Sequence, residues 1–190
     1  MSNELVRLER LDPAHTCDLM AAVAPGELWR LWYASVPAPE QMAAEIDRRL
    51  AEHAAGRLAP WAIIDARSGS AVGMTTYLNL HQAHRRLEIG STWIGQEAHG
   101  TGINPAAKLL LLQRAFTELG CVAVEFRTHF HNHRSRAAIE RLGAKQDGVL
   151  RNHRILPDGS LRDTVVYSVL DIEWPAVRAG LLARLRAQRG

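Results

Sequence analysis

The chain has 190 residues, 47% hydrophobic and 23% charged, a composition that predicts a folded globular protein and excludes a mainly disordered one. A formal charge of +3 is only mildly basic, so we expect no nucleic-acid partner, although RNA or ribosome binding stays open as an alternative. The two cysteines lie far apart, which argues against a disulfide scaffold. The sequence has no apolar signal-peptide core and no apolar stretch long enough to span a membrane, so we expect a cytoplasmic protein with no membrane partner.

The first half of the chain predicts a short strand, helices and then a meander of three strands. Apolar alternation, helical periodicity and turn residues set the ranges, which are a strand at 5–8, a helical pattern at 12–50 interrupted at 36–39, and strands at 61–66, 71–80 and 86–94. Asp12 is predicted to cap the first helix, and Pro39-Glu40 to open the second.

The second half alternates strands and helices and ends with a hairpin and a helix. Its ranges are a Gly-rich turn at 99–102, a helix at 104–119, a strand at 121–129, a helix at 132–142, hairpin strands at 145–156 and 161–171, and a basic helix at 173–190. This order predicts an α+β protein with one central, mostly antiparallel mixed sheet of about seven strands and helices on both faces. With no linker or repeat visible, we expect residues 1–190 to form a single domain.

The turn His99-Gly100-Thr101-Gly102 connects a strand to a helix, an arrangement that suits anion binding. Glycines let backbone approach a phosphate closely, and the first N–H groups of the helix lack internal partners. The complete dinucleotide motif fails for want of a third glycine, and no P-loop lysine follows. Taken alone, the turn is equally compatible with a purely structural role.

Four segments together resemble the GNAT superfamily of N-acetyltransferases, on its ribosomal-protein N-acetyltransferase-like branch. They are LEIGSTWI at 87–94, GTGINPAAKLLLL at 100–112, NHRSRAAIERLGA at 132–144 and LPDGSLRDTVVYS at 156–168. The resemblance runs from about residue 60 to 175. It implies a GNAT-like fold and acetyl-CoA as the acetyl-donor cosubstrate.

The resemblance also implies which residues meet acetyl-CoA: Trp93, Ile94, His99, Gly100, Thr101, Gly102, Ile103, Asn104, Lys108, Asn132, Ser135 and Arg141. The backbone of Trp93 and Ile94 would pair with the pantetheine arm, and the loop from His99 to Asn104 would hold phosphates. Lys108 and Arg141 are candidates for further phosphate contacts, and solvated helix-surface charges are an equally good interpretation of both.

Acetyl transfer to an amine needs a base, because amines are protonated near neutral pH. Glu88 is the first candidate, with Glu125 and Asp163 as alternatives; an exposed carboxylate paired with a neighbouring arginine is the competing interpretation of Glu88. Many relatives carry a tyrosine acid where this chain has Ile139. By resemblance, Ser135 inherits a role near the thiol.

His129, His131 and His133 alternate along the chain and could share one face of a strand. No cysteine or carboxylate completes a ligand set, so we expect no metal and interpret His131 as lining the acceptor cleft.

These patterns predict an acetyl-CoA-dependent N-acetyltransferase that acts on a primary amine, with a protein N-terminus suggested by the branch resemblance. A small-amine or antibiotic acetyltransferase and a non-catalytic acyl-CoA sensor remain alternatives. Family resemblance alone predicts a homodimer through the final hairpin.

Overall fold

The computed structural model describes residues 1–187, and the predicted end of the last helix at 188–190 lies outside the described residues. Its strands are β1 (Val6–Arg10), β2 (Ala59–Asp65), β3 (Ala71–His81), β4 (Arg86–Ile94), β5 (Ala123–His129), β6 (Lys145–Ile155) and β7 (Leu161–Leu170). Its helices are α1 (Thr16–Val23), α2 (Met42–Ala54), α3 (Ile103–Gln113), α4 (His133–Glu140) and α5 (Trp174–Ala187). Within residues 1–187, no helix is both long and apolar enough to cross a bilayer.

All seven strands join one sheet in the order β1-β2-β3-β4-β5-β7-β6. Every neighbouring pair is antiparallel except β4 and β5, which are parallel. The predicted α+β class, with a mostly antiparallel mixed sheet of about seven strands, is confirmed.

Helices cover both faces of the sheet, as predicted, because side chains alternate along its strands. In β2, Ile63 packs into a core shared with α3 and α5, whereas Ala62 and Ile64 face the opposite side. On that side they pack with α1 and α2, which contribute Leu19, Val23, Met42 and Ile46.

The sheet divides between its two parallel strands. β4 pairs with β5 only from Arg86 to Glu88, opposite residues 123–125, although β4 continues to Ile94 and β5 to His129. In β4, Ser91 has a φ of 46°, and the register against β3 shifts between Met74 and Thr76. A bulge of this kind bends a strand, and here it lies where β4 leaves β5. The two strands therefore diverge and leave a cleft.

The predicted helical pattern over 12–50 is wrong for residues 24–35, whereas its predicted interruption at 36–39 begins correctly, since residues 36–38 are not helical. After α1, Gly26 and Glu27 both have positive φ, which ends the helix. Only a short 3₁₀ turn, Leu28–Arg30, precedes the prolines at 37 and 39. The α3 helix also ends before residue 119, because a π-helical turn, Arg114–Glu118, carries the chain to Gly120.

Candidate active site

The cleft between β4 and β5 has a volume of about 1100 Å³ and is lined from two directions. What we call the loop side consists of Ile94, His99, Gly100, Gly102, Asn132 and Ser135. What we call the hairpin side consists of Leu78, Glu88, Arg127, His153, Arg154 and Arg162. The outer edge of this opening is covered by the irregular segment after α1, which contributes Leu31 and Tyr33.

The loop after β4 is held in a fixed shape by its own side chains. His99 Nε2 lies 2.8 Å from the carbonyl oxygen of Ile94, and the hydroxyl of Thr101 donates to the carbonyl of Ala98 at 2.7 Å. Gly102, with a φ of 86°, forms the N-cap of α3, so the first N–H groups of that helix have no intrahelical acceptor. The His99 side chain therefore braces the loop, and backbone N–H groups are left for an anion.

One buried polar atom at the start of α3 has no partner within the described residues: Asn104 Oδ1. Burying an acceptor without a hydrogen bond costs free energy unless a ligand satisfies it. Together with the unbonded helix N–H groups, this atom makes the start of α3 suitable for binding a polar, phosphate-bearing ligand. Of the predicted loop residues, Thr101 and Ile103 do not line the cleft, because Thr101 faces solvent and Ile103 packs in the core.

The edge of β4 beyond Glu88 is open toward the cleft. Trp93 and Ile94 pair with Met74 and Gly73 of β3 on one side, while β5 has already diverged on the other. Backbone groups on such an edge can bond an extended arm as if it were another strand. This is the arrangement predicted for pantetheine.

Helix α4 brings the predicted Asn132, Ser135 and Arg141 to the cleft. Asn132 Oδ1 accepts a hydrogen bond from the Ser135 N–H at 2.9 Å and so caps the helix. Ile139, at the position of the relatives' tyrosine, is buried in the core and offers no acid. Arg141 is exposed at the rim, so phosphate contact stays a prediction for it.

Lys108 is not a surface residue, and that interpretation is wrong. Its residue is 6% exposed, and its ammonium donates to Thr92 Oγ1 at 2.7 Å and to Thr75 Oγ1 at 3.3 Å. Burial lowers the pKa of Lys108 to about 7, since no carboxylate among the described residues pairs with it. Lys108 lines the cleft, but its amine bonds hydroxyls of the sheet, so the phosphate contact stays a prediction for it.

Glu88 lies on the hairpin side at the point where β4 and β5 part. Its residue is 6% exposed, so the interpretation as an exposed strand carboxylate is wrong. Its Oε2 accepts a hydrogen bond from Asn79 Nδ2 at 2.7 Å and lies 3.6 Å from Arg127 Nε. Burial raises the pKa of Glu88 against the opposing charge of Arg127, which brings the carboxyl closer to the range of a general base.

The alternative bases do not line the cleft. Burial alone would raise the pKa of Glu125, but hydrogen bonds from Arg127 at 2.9 Å and Arg86 at 2.6 Å outweigh it and lower that pKa. The Asn152 N–H and the Arg151 guanidinium bond Asp163 and lower its pKa. Both carboxylates are therefore ion-pair partners of arginines, and their lowered pKa values suit them poorly as general bases.

His129, not the predicted His131, lines the cleft. Its Nδ1 accepts the N–H of His131 at 3.1 Å, and its ring centroid lies 4.9 Å from that of Trp32. The ring of His131 is also 5.6 Å from Trp32, so the two imidazoles belong to an aromatic cluster. No group of three or more potential metal-binding side chains occurs within residues 1–187.

Sequence analysis missed the arginines of the hairpin side. Arg154 and Arg162 are equally distant from the turn at residue 158, and they pair directly across the hairpin. Counting outward from the predicted turn would have placed both on one face. Arg127 could not have been found in this way, because its neighbour Glu88 comes from a different strand.

Comparison with known proteins gives a family match and several relatives. A model of the acetyltransferase (GNAT) domain matches residues 6–145. YdaF of Bacillus subtilis (strain 168), provisionally named a ribosomal N-acetyltransferase, is 40% identical over 106 residues, or 56% of this chain and 57% of the relative. The chain thus matches little more than half the length of that curated relative.

Solved structures match over nearly the whole chain. A provisionally named acetyltransferase from T. thermophilus is 38% identical, with 97% of this chain and 96% of that one covered and a TM-score of 0.85. Mycobacterium smegmatis RimJ, in complex with CoA-disulfide, is 23% identical over 94% of this chain and 88% of its own. With a TM-score of 0.78, RimJ shares the fold.

Proposed function

The chain belongs to the GNAT acetyltransferase family, and from this premise we propose that it transfers an acetyl group from acetyl-CoA to a protein N-terminal amine. The proposal rests on one observation: the open edge of β4 and the buried carboxylate of Glu88 line the same cleft. A strand edge and helix N-termini suit the cosubstrate, and a carboxylate of raised pKa suits deprotonation of an amine.

On the loop side, the backbone at the start of α3 receives the phosphates, and β4 pairs with the pantetheine arm. Asn132 and Ser135 then lie beside the thioester, on the helix that Asn132 caps. This binding places the acetyl carbon near the point where β4 and β5 part, which is where Glu88 begins the hairpin side.

The reaction exchanges an S–C bond for an N–C bond. Glu88 accepts a proton from the incoming ammonium, directly or through water, and the free amine attacks the thioester carbon. Backbone N–H groups of the β4 edge stabilise the charge that develops on the thioester oxygen. The CoA thiolate leaves and takes the second proton of the acceptor nitrogen, relayed through the Ser135 hydroxyl, so that a neutral amide and the CoA thiol result.

A protein N-terminus is favoured over the other acceptors by two observations. The name of the B. subtilis relative refers to ribosomal N-acetylation, and this chain shares 40% identity with it over 106 residues. The hairpin side carries Arg154 and Arg162 without a paired carboxylate, and their charges repel polyamines and aminoglycosides, which bear several cations, more than a single N-terminal ammonium. The non-catalytic sensor is disfavoured because a sensor has no use for a buried carboxylate in its cleft.

The test is a thiol-release assay with acetyl-CoA and a panel of N-terminal peptides, amino acids, polyamines and aminoglycosides. We expect turnover of peptides, and we expect Glu88→Gln to lower kcat about 10²-fold or more, the contribution typical of a general base. Acetyl-CoA affinity, measured by calorimetry, should be little changed. Glu125→Gln is the matched control, since it removes the directly opposed carboxylate that is not in the cleft.

The pH dependence of kcat/KM should report the ionisation of the Glu88 carboxyl. Glu88 acts only when ionised, so kcat/KM should rise with pH as it loses its proton, at a midpoint above the ordinary value of about 4.3. This acid limb should be missing from Glu88→Gln. CoA binding without turnover of any amine would favour the sensor instead, and failure to bind CoA would refute the assignment of the loop side.

A further inference from the structure

The hairpin side contains two arginines that face each other. Arg154 and Arg162 are direct partners across β6 and β7, so their side chains leave the same face of the sheet, and both line the cleft. Like charges at directly opposed positions destabilise a sheet. Arg154 is exposed and Arg162 half-buried, so the two charges repel each other at the cleft surface, and an anion bound between them would relieve this repulsion.

No compensating anion is supplied within residues 1–187. Neither arginine has a carboxylate within 4.0 Å, and Arg162 Nε donates only to the hydroxyl of Thr164 at 3.1 Å. Arg127, the third arginine of the hairpin side, is already paired with Glu125 at 2.9 Å. The unneutralised charge is therefore concentrated on the two hairpin arginines.

The electrostatic effects of the pair reach its neighbours. Burial, followed by the charge of Arg154, lowers the pKa of Arg162. Burial and then the charges of Arg154, Arg127 and Arg162 lower the pKa of His153. Glu88 lines the same cleft as both arginines; the charge of Arg154 acts to lower the pKa of Glu88, and the charge of Glu88 acts to raise the pKa of Arg162.

The pair is also held in place by a dedicated arrangement of the hairpin. Between Leu150 and Arg154 the register of β6 against β7 shifts, and Asn152 has a φ of 48°. Asp163 fixes this bulge by accepting the Asn152 N–H at 2.7 Å and the Arg151 guanidinium at 2.7 Å. A bulge can re-aim the side chain that follows it, and here that residue is Arg154.

We infer that the acceptor carries a carboxylate close to its amine and that Arg154 and Arg162 bind this carboxylate, an inference that rests on the proposed function. Two guanidinium groups on one face provide planar pairs of N–H donors that match carboxylate oxygens. With the carboxylate on the arginines, the amine is directed to Glu88. The CoA phosphates do not compete, because the start of α3 that suits them belongs to the loop side.

Two sources can supply this chemistry: an acidic side chain just after a protein N-terminus, or the α-carboxylate of a free amino acid. Matched acceptors separate them. Peptides that begin Ala-Asp and Ala-Asn differ only in the side-chain charge, and glycine and glycinamide differ only in the α-carboxylate. A preference for the acidic peptide assigns the first source, and a preference for glycine assigns the second.

The experiment compares kcat/KM for these acceptors in the wild type, Arg154→Gln, Arg162→Gln and the double variant. We expect the wild type to prefer the charged acceptor at least tenfold. Each single variant should reduce that ratio about tenfold, mainly through the acceptor KM, while the KM for acetyl-CoA stays constant. Arg178→Gln on α5 is the control, since it removes the same charge from an exposed site outside the cleft.

A wild type that uses charged and neutral acceptors equally would overturn the inference, and so would a preference that survives in the double variant. Calorimetry of the Ala-Asp and Ala-Asn peptides against CoA-saturated protein tests the arginines without any turnover. If no acceptor is acetylated but the acidic peptide binds through Arg154 and Arg162, the proposed function fails and the carboxylate site stands. Equal binding of both peptides would refute the site itself.

Discussion

Lys108 illustrates, at the scale of one residue, how the surroundings of a side chain decide its chemistry. The sequence showed a lysine on a helix that follows a phosphate-type turn, and both predicted roles assumed contact with solvent or ligand. The structure places its amine against Thr75 and Thr92, on β3 and β4. Those hydroxyls come from strands far away in the chain, so local sequence could not reveal them.

The lowered pKa of Lys108 makes stability depend on pH. The folded protein binds this proton with a pKa of about 7, and an unfolded lysine with one of about 10.4, so stability rises between these pH values. Relative to Lys108→Met, the wild type should therefore gain about 2 kcal/mol between pH 7 and pH 9. The measurement is urea denaturation of both proteins at the two pH values.

The Thr75 and Thr92 hydroxyls bond each other at 2.7 Å, so the methionine variant leaves them satisfied. We accordingly expect Lys108→Met to fold and to be at least as stable as the wild type at pH 7. An equal difference between the two proteins at both pH values would show that Lys108 keeps an ordinary pKa.

Glu88 is the residue for which sequence reasoning went furthest. Its position on a strand before the Gly-rich turn was enough to select it as the first candidate base. Its burial and its contacts with Asn79 and Arg127 were not predictable, because they require the register of β3 and β5 against β4. The sequence of a single strand does not by itself determine that register.

At the scale of elements, the residues at the start of α4 have two predicted roles: they stabilise the helix, and they bind a ligand in the cleft. Asn132 caps it through Oδ1, and the predicted start of the helix at this residue is confirmed. Its amide nitrogen is the group available to a ligand in the cleft. The sequence favoured both roles for one residue, and one pair of substitutions can separate them.

Asn132→Asp keeps an oxygen for the Ser135 N–H, whereas Asn132→Ala loses it. We expect the alanine variant to lose about 1 kcal/mol of stability and the aspartate variant to lose little. If the amide also donates to pantetheine, the aspartate variant should still bind acetyl-CoA more weakly. Thermal unfolding and calorimetry measure the two effects, and wild-type affinity in Asn132→Asp would reduce Asn132 to a cap.

The strand boundaries were predicted closely where turn residues punctuate the chain. The range 86–94 is confirmed, because Gly and Pro residues and apolar alternation act locally. The segment 24–35 was predicted incorrectly, because its aromatic residues pack against the sheet without forming a regular helix. Trp32, for example, contacts the rings of His129 and His131 at the end of β5.

At the scale of the whole molecule, one sheet supports both predicted binding events. The open edge of β4 serves the loop side, and the β6–β7 hairpin supplies much of the hairpin side. That residues 1–190 form a single domain stays a prediction, which the continuous sheet with a core on each face supports. The order of elements was enough to predict this sheet, but not the division between β4 and β5.

The homodimer through the final hairpin also stays a prediction. At the tip of the hairpin, Ile155 and Leu161 are direct partners and are 76% and 55% exposed. A second copy would bury this apolar pair. We expect the wild type to sediment as a dimer at micromolar concentration and Ile155→Glu to sediment as a monomer. Ile172→Glu, equally exposed but outside the hairpin, is the control; a monomeric wild type would refute the prediction.

The position of Trp32 has a practical consequence for spectroscopy. Trp32 is 56% exposed, and its ring meets the ring of His129, which lines the cleft, edge to face at a centroid distance of 4.9 Å. Tryptophan emission moves to shorter wavelength when water leaves the ring. Entry of an acceptor beside His129 should therefore change the intrinsic fluorescence, so the protein carries an optical reporter of its own occupancy that requires no dye.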